Sequence, residues 1–278
     1  MEKYAVVGFP IAHSFSPDIH NPAFKVLSLD AYYERIEIRP EEFHEKILDL
    51  KSSNFKGFNI TVPFKKQIIP YLDKIDSTAD SINAVNTVKS IDGKWFGYNT
   101  DIDGFLDPIR EVTNKIKNVL ILGAGGAAYA VTYACIEFFK PQKLLIANRN
   151  PESAKKLLEK IKTDSVNEKK YLALDNAGIM HEKFDLIVNT TSAGMGAQKE
   201  INPLNIKKLY HSETIVYDLI YNPPETLFLK QAKQLGLKYL NGLEMLAGQA
   251  KKSFKIWTNQ DYPGELDINK MLTEKYFK

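Results

Sequence analysis

The sequence predicts an α/β protein of two domains, and three observations carry that prediction. Its 278 residues suit one large domain or two modest ones. Short runs rich in β-branched and aromatic residues alternate with segments that are apolar at helical spacing, the pattern of parallel sheets covered by helices on both faces. Midway along the chain, an apolar strand runs directly into a glycine-rich turn and then a helix. In the first hundred residues the candidate strands are 4–8, 31–36, 57–60, 84–88 and 95–98, with helices over 18–28 and 41–50. Pro17 and Pro40 suit first helical positions, where a missing N–H costs nothing. Beyond Asp101, strands are expected at 119–122, 143–147, 185–189 and 214–218. Helices are expected at 127–139, 151–161 and about 225–235, and the stretch 242–258 is apolar at helical spacing. A boundary near 102–118 separates the two sections.

Composition narrows the function classes. Hydrophobic residues make up 44% and charged residues 26%, with a net charge of +3. That balance gives no reason to expect a nucleic-acid or membrane partner. A small-molecule ligand and a monomer or homodimer are expected. The single cysteine, Cys135, excludes an internal disulfide, and its apolar surroundings AVTYACIEFF predict a buried thiol rather than a nucleophile. The start MEKYAVVGFP reads as a strand entering a turn, without the features of a signal peptide. No run of about 18 apolar residues occurs. The expected location is the cytoplasm. The histidines, His13, His20, His44, His181 and His211, lack metal-ligand spacing, so no metal is expected. No G-x-S-x-G hydrolase motif occurs either.

The central motif is NVLILGAGGAAYAVTYA. Residues Gly123, Ala124, Gly125, Gly126, Ala127 and Ala128 follow the strand in the G-x-G-x-x-G/A pattern. Gly123 makes the tight turn, Gly125 lets the backbone approach a pyrophosphate, and Ala128 keeps strand and helix close. The helix amino terminus then offers unpaired N–H groups and its positive dipole end. At the end of the next strand, LLIANRN places Asn148 and Arg149 where NAD-binding chains carry an acid. A carboxylate there would repel a 2′-phosphate, whereas a guanidinium binds one in a bidentate fork, so the cofactor expected is NADP, with NAD a poorer fit.

Further motifs occur along the chain: GFPIAHSFSPDIHN at 8–21, NITVPFK at 59–65, INAVNTV at 82–88 and GYNTD at 97–101. They are followed by NTTSAGM at 189–195, DLIYNP at 218–223 and GLEMLAGQA at 242–250. Together with the glycine motif and NRN, this ordered set resembles the shikimate dehydrogenase family over nearly the whole chain. The resemblance implies an N-terminal α/β substrate domain, residues 1–101 completed by 242–278, and a Rossmann-type NADP domain, residues 102–241. It implies interconversion of 3-dehydroshikimate and shikimate, with Lys65 and Asp101 catalytic. Lys65 would pass a proton to or from the reacting oxygen, and Asp101 would fix the ammonium and accept from a substrate hydroxyl. Asn86 and Gln249 would bind ring hydroxyls, Thr61 would add a hydroxyl, and Ser14, Ser16 and Tyr221 would bind the substrate carboxylate. Asn189, Thr190 and Met195 would border the nucleotide, with Leu219 and Gly242 near the nicotinamide.

Simpler structural roles stand beside these. Ser16 before Pro17 reads as a helix N-cap, as does Asp101 before a helix at Ile102. Two departures from the family pattern occur. Asn150 stands where a hydroxyl residue is commoner, putting a 2′-phosphate contact in question. Asn83 replaces a glycine, a position at which Asn tolerates unusual backbone angles. Alternative readings are a quinate/shikimate dehydrogenase with relaxed cofactor use, a methylenetetrahydrofolate dehydrogenase relative, and a non-catalytic NADP-binding protein. The HSFSP and INAVNT segments weigh against the second. The presence of both Lys65 and Asp101 weighs against the third.

Overall fold

A computed structural model describes residues 1–161, 165–175 and 182–277, with the backbone alone at 113 and 114. The chain divides into two compact units, Met1–Gly104 with Ala247–Lys278, and Phe105–Leu246.

The first unit runs β1 (Glu2–Gly8), α1 (Ser16–Val26), β2 (Ala31–Glu37), α2 (Phe43–Ser52), β3 (Phe55–Ile60), β4 (Lys74–Ile75), α3 (Ser77–Ser81), β5 (Thr87–Ile91) and β6 (Lys94–Tyr98). Its strands form one sheet in the order β2-β1-β3-β5-β6-β4. The central strand β1 is buried continuously from Tyr4 to Val7, as a strand covered on both faces must be. Alternate residues sort to the two faces. Ala5, Val7, Phe58 and Ile60 pack with Phe43, Ile47 and Leu50 of α2. On the other face, Tyr4 meets Phe24 of α1 at 5.1 Å and Trp257 at 5.3 Å between ring centres.

The sheet is not parallel throughout, as the alternation of elements suggests. β5 is antiparallel to both β3 and β6. Asp92 and Gly93, with φ of 50° and 76°, make the tight turn joining β5 to β6. Two successive left-handed residues match the twist of a hairpin, and Asp-Gly is a pair that adopts them readily. The strand expected at 84–88 accordingly starts only at Thr87. Asn83, at φ 51°, takes a left-handed backbone, a conformation that Asn adopts more readily than most residues.

In the second unit the strands are β7 (Asn118–Leu122), β8 (Lys143–Asn148), β9 (Glu168–Ala173), β10 (Leu186–Asn189), β11 (Ile215–Asp218) and β12 (Lys238–Leu240). All are parallel, in the order β12-β11-β10-β7-β8-β9. Before β7 comes α4 (Asp101–Leu106), and between strands come α5 (Gly126–Ala134), α6 (Pro151–Lys160) and α7 (Leu227–Gln234). The chain builds β7, β8 and β9 outward, then returns to lay β10 on the other side of β7. This leaves a topological switch point beside β7, where open α/β sheets bind ligands. Leu120, Leu122, Leu145, Ile187 and Val216 supply the core with Phe228 and Leu229 of α7. Cys135 is fully buried, and burial pushes its thiol well above the ordinary range. The edge strands β9 and β12 are polar, β12 is also short, and neither is anticipated from periodicity.

The chain closes with α8 (Gly242–Thr258) and α9 (Ile268–Tyr276). Among the described residues no helix is long and apolar enough to cross a membrane. No group of three or more His, Cys, Asp or Glu is placed there to hold a metal ion. His181 lies outside the described residues.

Candidate active site

In the first unit, Lys65 sits in the turn that follows β3. The neighbouring Phe64 is fully buried, stacked on Phe43 at 4.2 Å, and Ile68 is equally buried one turn on. The Lys65 carbonyl accepts from the Val85 N–H at 2.8 Å. The backbone is thus anchored on both sides, and Nζ lies 2.6 Å from Asp101 Oδ2. The two side chains are 25% and 12% exposed, open enough to reach a ligand yet sheltered from full solvent screening.

Asp101 is the first residue of α4, not its cap. Its own N–H is taken by Asn99 Oδ1 at 3.0 Å, so the capping reading of Asp101 gives way to one in which the carboxylate is committed elsewhere. Oδ2 serves Lys65 and Oδ1 accepts from Asn86 Nδ2 at 2.9 Å. Asn86 is only 3% exposed. Its Oδ1 accepts from the Thr100 N–H at 2.8 Å, which fixes the amide with Nδ2 towards Asp101 and Thr100. Behind it the hydroxyls of Thr87, Thr100 and Ser253 lie within 2.8–3.3 Å of one another. Asn59 donates to Thr87 and Ser253 and accepts from Tyr33 at 2.7 Å. This buried network is satisfied member by member, the condition under which polar groups rigidify a site. Sequence reasoning missed Asn59, Thr87, Thr100 and Ser253. The first three lie inside recognisable motifs, but a polar side chain in a motif carries no mark of burial.

Ser14 Oγ donates to Ser16 Oγ at 3.2 Å, so the two predicted carboxylate ligands are brought together. The N-cap reading of Ser16 is overturned. α1 begins at Ser16 itself, its N-cap is Phe15, whose side chain makes no capping bond, and the Ser16 N–H is taken by Ser14 Oγ at 3.3 Å. Pro17 therefore occupies the second helical position. Thr61 packs its methyl where a side chain on Gly8 would need to be. Gln249 lies on α8, one turn before Ser253, which donates to its carbonyl at 2.9 Å.

In the second unit a groove of about 460 Å³ opens at the switch point. Its walls are the turns after β7 (Gly123, Ala124, Gly125), β8 (Asn148, Arg149) and β10 (Thr190 to Ala193), with Gln198 and Ile201 beyond. Gly123 holds φ 107°, and a Cβ there would lie 2.5 Å from Thr190 Oγ1, so both conformation and space demand glycine. Nothing lies within 4 Å of where a side chain on Gly125 or Gly126 would begin, which leaves the start of α5 open to a ligand. The donor set fits a dinucleotide phosphate: glycine turn, helix amino terminus and a guanidinium at the strand end. Asn150 is used structurally. Its Oδ1 caps α6 by accepting from Glu152 N–H at 3.1 Å, and its carbonyl accepts from Asn148 Nδ2 at 2.8 Å.

The other predicted cofactor residues lie around the groove rather than on its wall. Ala127 continues α5 after Gly126. Met195 is 48% exposed on the turn after Ala193. Leu219 N–H donates to the Asn189 carbonyl at 3.0 Å, and a side chain on Gly242 would collide with the Leu219 carbonyl, so these two are locked together. Asn189 is fully buried. Its Nδ2 donates to Asp218 Oδ1 at 2.9 Å and its Oδ1 accepts from Thr191, so it shapes the groove from beneath. Asp218, which sequence reasoning missed although DLIYNP contains it, also accepts from Thr226 Oγ1 at 2.6 Å and the Ile220 N–H at 3.1 Å. Burial raises its pKa to about 6 against these hydrogen bonds. Burial likewise raises the phenol of Tyr221. Ser192, Gln198 and Ile201 were not foreseen. Ser192 lies within NTTSAGM, whereas nothing local marks the other two.

Comparison with known proteins agrees with this arrangement. The family profile described as shikimate dehydrogenase substrate binding domain matches residues 6–88, and that described as shikimate / quinate 5-dehydrogenase matches residues 109–219. A shikimate dehydrogenase (NADP(+)) of Nitrosopumilus maritimus is 43% identical over 94% of this chain and 95% of its own length. A solved shikimate dehydrogenase in complex with NADP+ superposes with a TM-score of 0.87 at 37% identity, covering 100% of this chain and 96% of the other. A shikimate 5-dehydrogenase from Listeria monocytogenes, in complex with shikimate and NAD, gives 0.87 at 30% identity, covering 99% and 96%. The chain belongs to the shikimate dehydrogenase family.

Proposed function

We propose that the chain catalyses the reversible, NADP-dependent reduction of 3-dehydroshikimate to shikimate in the cytoplasm. It would do so as a monomer or homodimer, with no nucleic-acid or membrane partner. Residues 1–101 with 242–278 would hold the substrate and 102–241 the cofactor. The observation that carries this reading is the Lys65–Asp101 contact of 2.6 Å on an anchored, partly open turn. When bound, the nicotinamide cofactor supplies or accepts the hydride. The chain supplies the proton. In reduction the Lys65 ammonium donates to the carbonyl oxygen as negative charge develops there; in oxidation the neutral amine takes the hydroxyl proton. Asp101 stabilises the ammonium and accepts from a substrate hydroxyl. Asn86, expected to bind a ring hydroxyl, has both amide protons engaged by Thr100 and Asp101, so it would serve the site by aiming Asp101. Ser14, Ser16 and Tyr221 would donate to the substrate carboxylate, with Thr61 and Gln249 meeting the ring hydroxyls.

Gly123, Ala124, Gly125, Gly126 and Ala127 would hold the pyrophosphate, and Asn148 and Arg149 the 2′-phosphate. Asn189, Thr190, Met195, Leu219 and Gly242 would shape the nicotinamide side. Arg149→Ala is expected to weaken NADP binding by about 10- to 100-fold, the worth of one charge-assisted contact of roughly 1.5–3 kcal/mol. Shikimate affinity should not change, and NAD affinity should hardly change. Calorimetric titration of each ligand checks this, and equal losses for NADP and NAD would remove Arg149 from the 2′-phosphate site. A second reading, a dehydrogenase with relaxed cofactor choice, is favoured by one observation. The Listeria relative, similar over nearly the whole chain, is described with NAD. NAD binding within a few-fold of NADP in the unsubstituted protein would support it.

A further inference from the structure

We propose that α9 is a strut that holds the Ser14–Ser16 loop in binding shape, with Tyr276 and Asp18 as positioning residues. The proposal rests on the reading of Ser14 and Ser16 as ligands of the substrate carboxylate. The start of α1 is held locally by the long contact from the Ser16 N–H to Ser14 Oγ at 3.3 Å, since its N-cap Phe15 offers no capping side chain, and further support comes from outside the loop. Two sets of contacts provide it. Phe15, between the two serines, is only 6% exposed because the ring of Tyr276 stacks on it at 4.2 Å and 19°, with Phe277 edge-on at 6.0 Å. Asp18, in the first turn of α1, is gripped by Lys275 Nζ at 2.6 Å and by the Tyr276 hydroxyl.

The second grip extends back to the serines. Arg35 of β2 lies 3.6 Å from Asp18 and donates through Nε to the Ser14 carbonyl at 2.9 Å. Asp18 is therefore a hub that links the end of α9 to the Ser14 backbone. Although its partial burial disfavours charge, Lys275, Tyr276 and Arg35 together keep its carboxyl below the usual range. α9 is itself fixed, with Ile268 and Leu272 buried and Asp267 capping it through Lys270 N–H at 3.0 Å. Tyr262, just before it, donates to the Ile19 carbonyl of α1 at 2.8 Å. The strut thus bears on a rigid base.

The test is steady-state kinetics of the full chain, with shikimate and NADP varied separately. Tyr276→Ala is expected to raise the KM for shikimate about five- to tenfold while kcat and the KM for NADP stay within twofold. Tyr276→Phe keeps the ring stack and should recover most of the loss. Asp18→Asn leaves the stack intact and should raise the shikimate KM about threefold, which keeps the test available if Tyr276→Ala does not fold. Ser16→Ala serves as reference. If it raises the shikimate KM while Tyr276→Ala and Asp18→Asn do not, the strut is overturned. If Ser16→Ala also has no effect, the reading of the loop as a carboxylate site fails instead. A fall in kcat with both KM values disturbed alike would mark α9 as a general structural element and overturn the proposal too.

Discussion

Replacing Lys65 with alanine is expected to lower kcat for shikimate oxidation by about 10²- to 10⁴-fold, the usual worth of a positioned proton-transfer group. Shikimate and NADP affinities should stay within a few-fold. The expectation follows from geometry. Phe64 and Ile68 anchor the turn, and the Val85 N–H holds the Lys65 carbonyl, so the substitution removes the ammonium without releasing the backbone. It does leave the Asp101 carboxylate, 12% exposed, with Asn86 Nδ2 but no counter-ion. The double variant Lys65→Ala/Asp101→Asn separates the two effects. If the loss is proton transfer, kcat stays low in both. If the loss comes from a misplaced carboxylate, the double variant should regain activity. Single-turnover measurements read the chemical step directly, and a rate near that of the unsubstituted protein in Lys65→Ala would remove Lys65 from that step.

A second large effect is expected in acid stability and comes from His20. The imidazole is completely buried against Tyr33, 4.6 Å between ring centres, with Trp257, Phe254 and Phe24 around it. Neither ring nitrogen has a hydrogen-bond partner, and burial pushes its pKa down from 6.5 to about 3. Between these values the unfolded chain binds the proton and the folded chain does not. Stability is therefore unaffected above pH 6.5 and is lost progressively as pH falls towards 3. The loss amounts to about 2 kcal/mol at pH 5, a large part of an ordinary margin of roughly 5–15 kcal/mol. His20→Leu removes a group that makes no hydrogen bond, so it leaves no orphaned partner. The variant should resist urea better than the unsubstituted protein at pH 5 and show a flatter dependence from pH 7 to pH 4. Asp218 acts with the opposite sign. Its raised pKa of about 6 means that the folded form binds the extra proton, so its contribution weakens stability as pH rises from about 4 through 6. Taking the difference between His20→Leu and the unsubstituted protein cancels that contribution. Parallel pH curves for the two proteins would show that His20 is not the acid-sensitive group.

The architecture was legible where local chemistry and tertiary context agree. The strand, glycine turn and helix at 118–134 follow from the apolar run and from the space that Gly123 must leave for Thr190. The 242–258 helix was equally clear, since its apolar spacing persists over its full length. β4, β9 and β12 were not legible, because edge strands expose one margin and need no apolar signature, and β4 and β12 are also very short. The antiparallel hairpin was marked by Asp92-Gly93, but the alternation of elements outweighed a two-residue signal. The site divides the same way. Lys65 and Asp101 were singled out through their motifs, since no periodicity separates a candidate proton donor from a surface lysine, and the fold brings the two within 2.6 Å. For Ser16 the sequence offers two roles, a carboxylate ligand by family resemblance and a helix cap because it precedes Pro17; the cap gives way, since its hydroxyl turns to Ser14. Asp218, whose partners Ile220 and Thr226 are near in sequence, escaped because nothing local marks its burial, whereas Asn59, Ser253 and Tyr276 escaped because partners lie far along the chain, 194 residues away in the bond from Asn59 to Ser253. Such pairings exist only once the fold is formed.

The measurement that tests the central claim most directly is the rate of NADPH formation by the purified protein, followed by its absorbance, with shikimate or quinate crossed against NADP or NAD. The account predicts turnover with shikimate and NADP well above every other combination, abolished by Lys65→Ala. Absence of turnover with shikimate under conditions where both shikimate and NADP bind would contradict it.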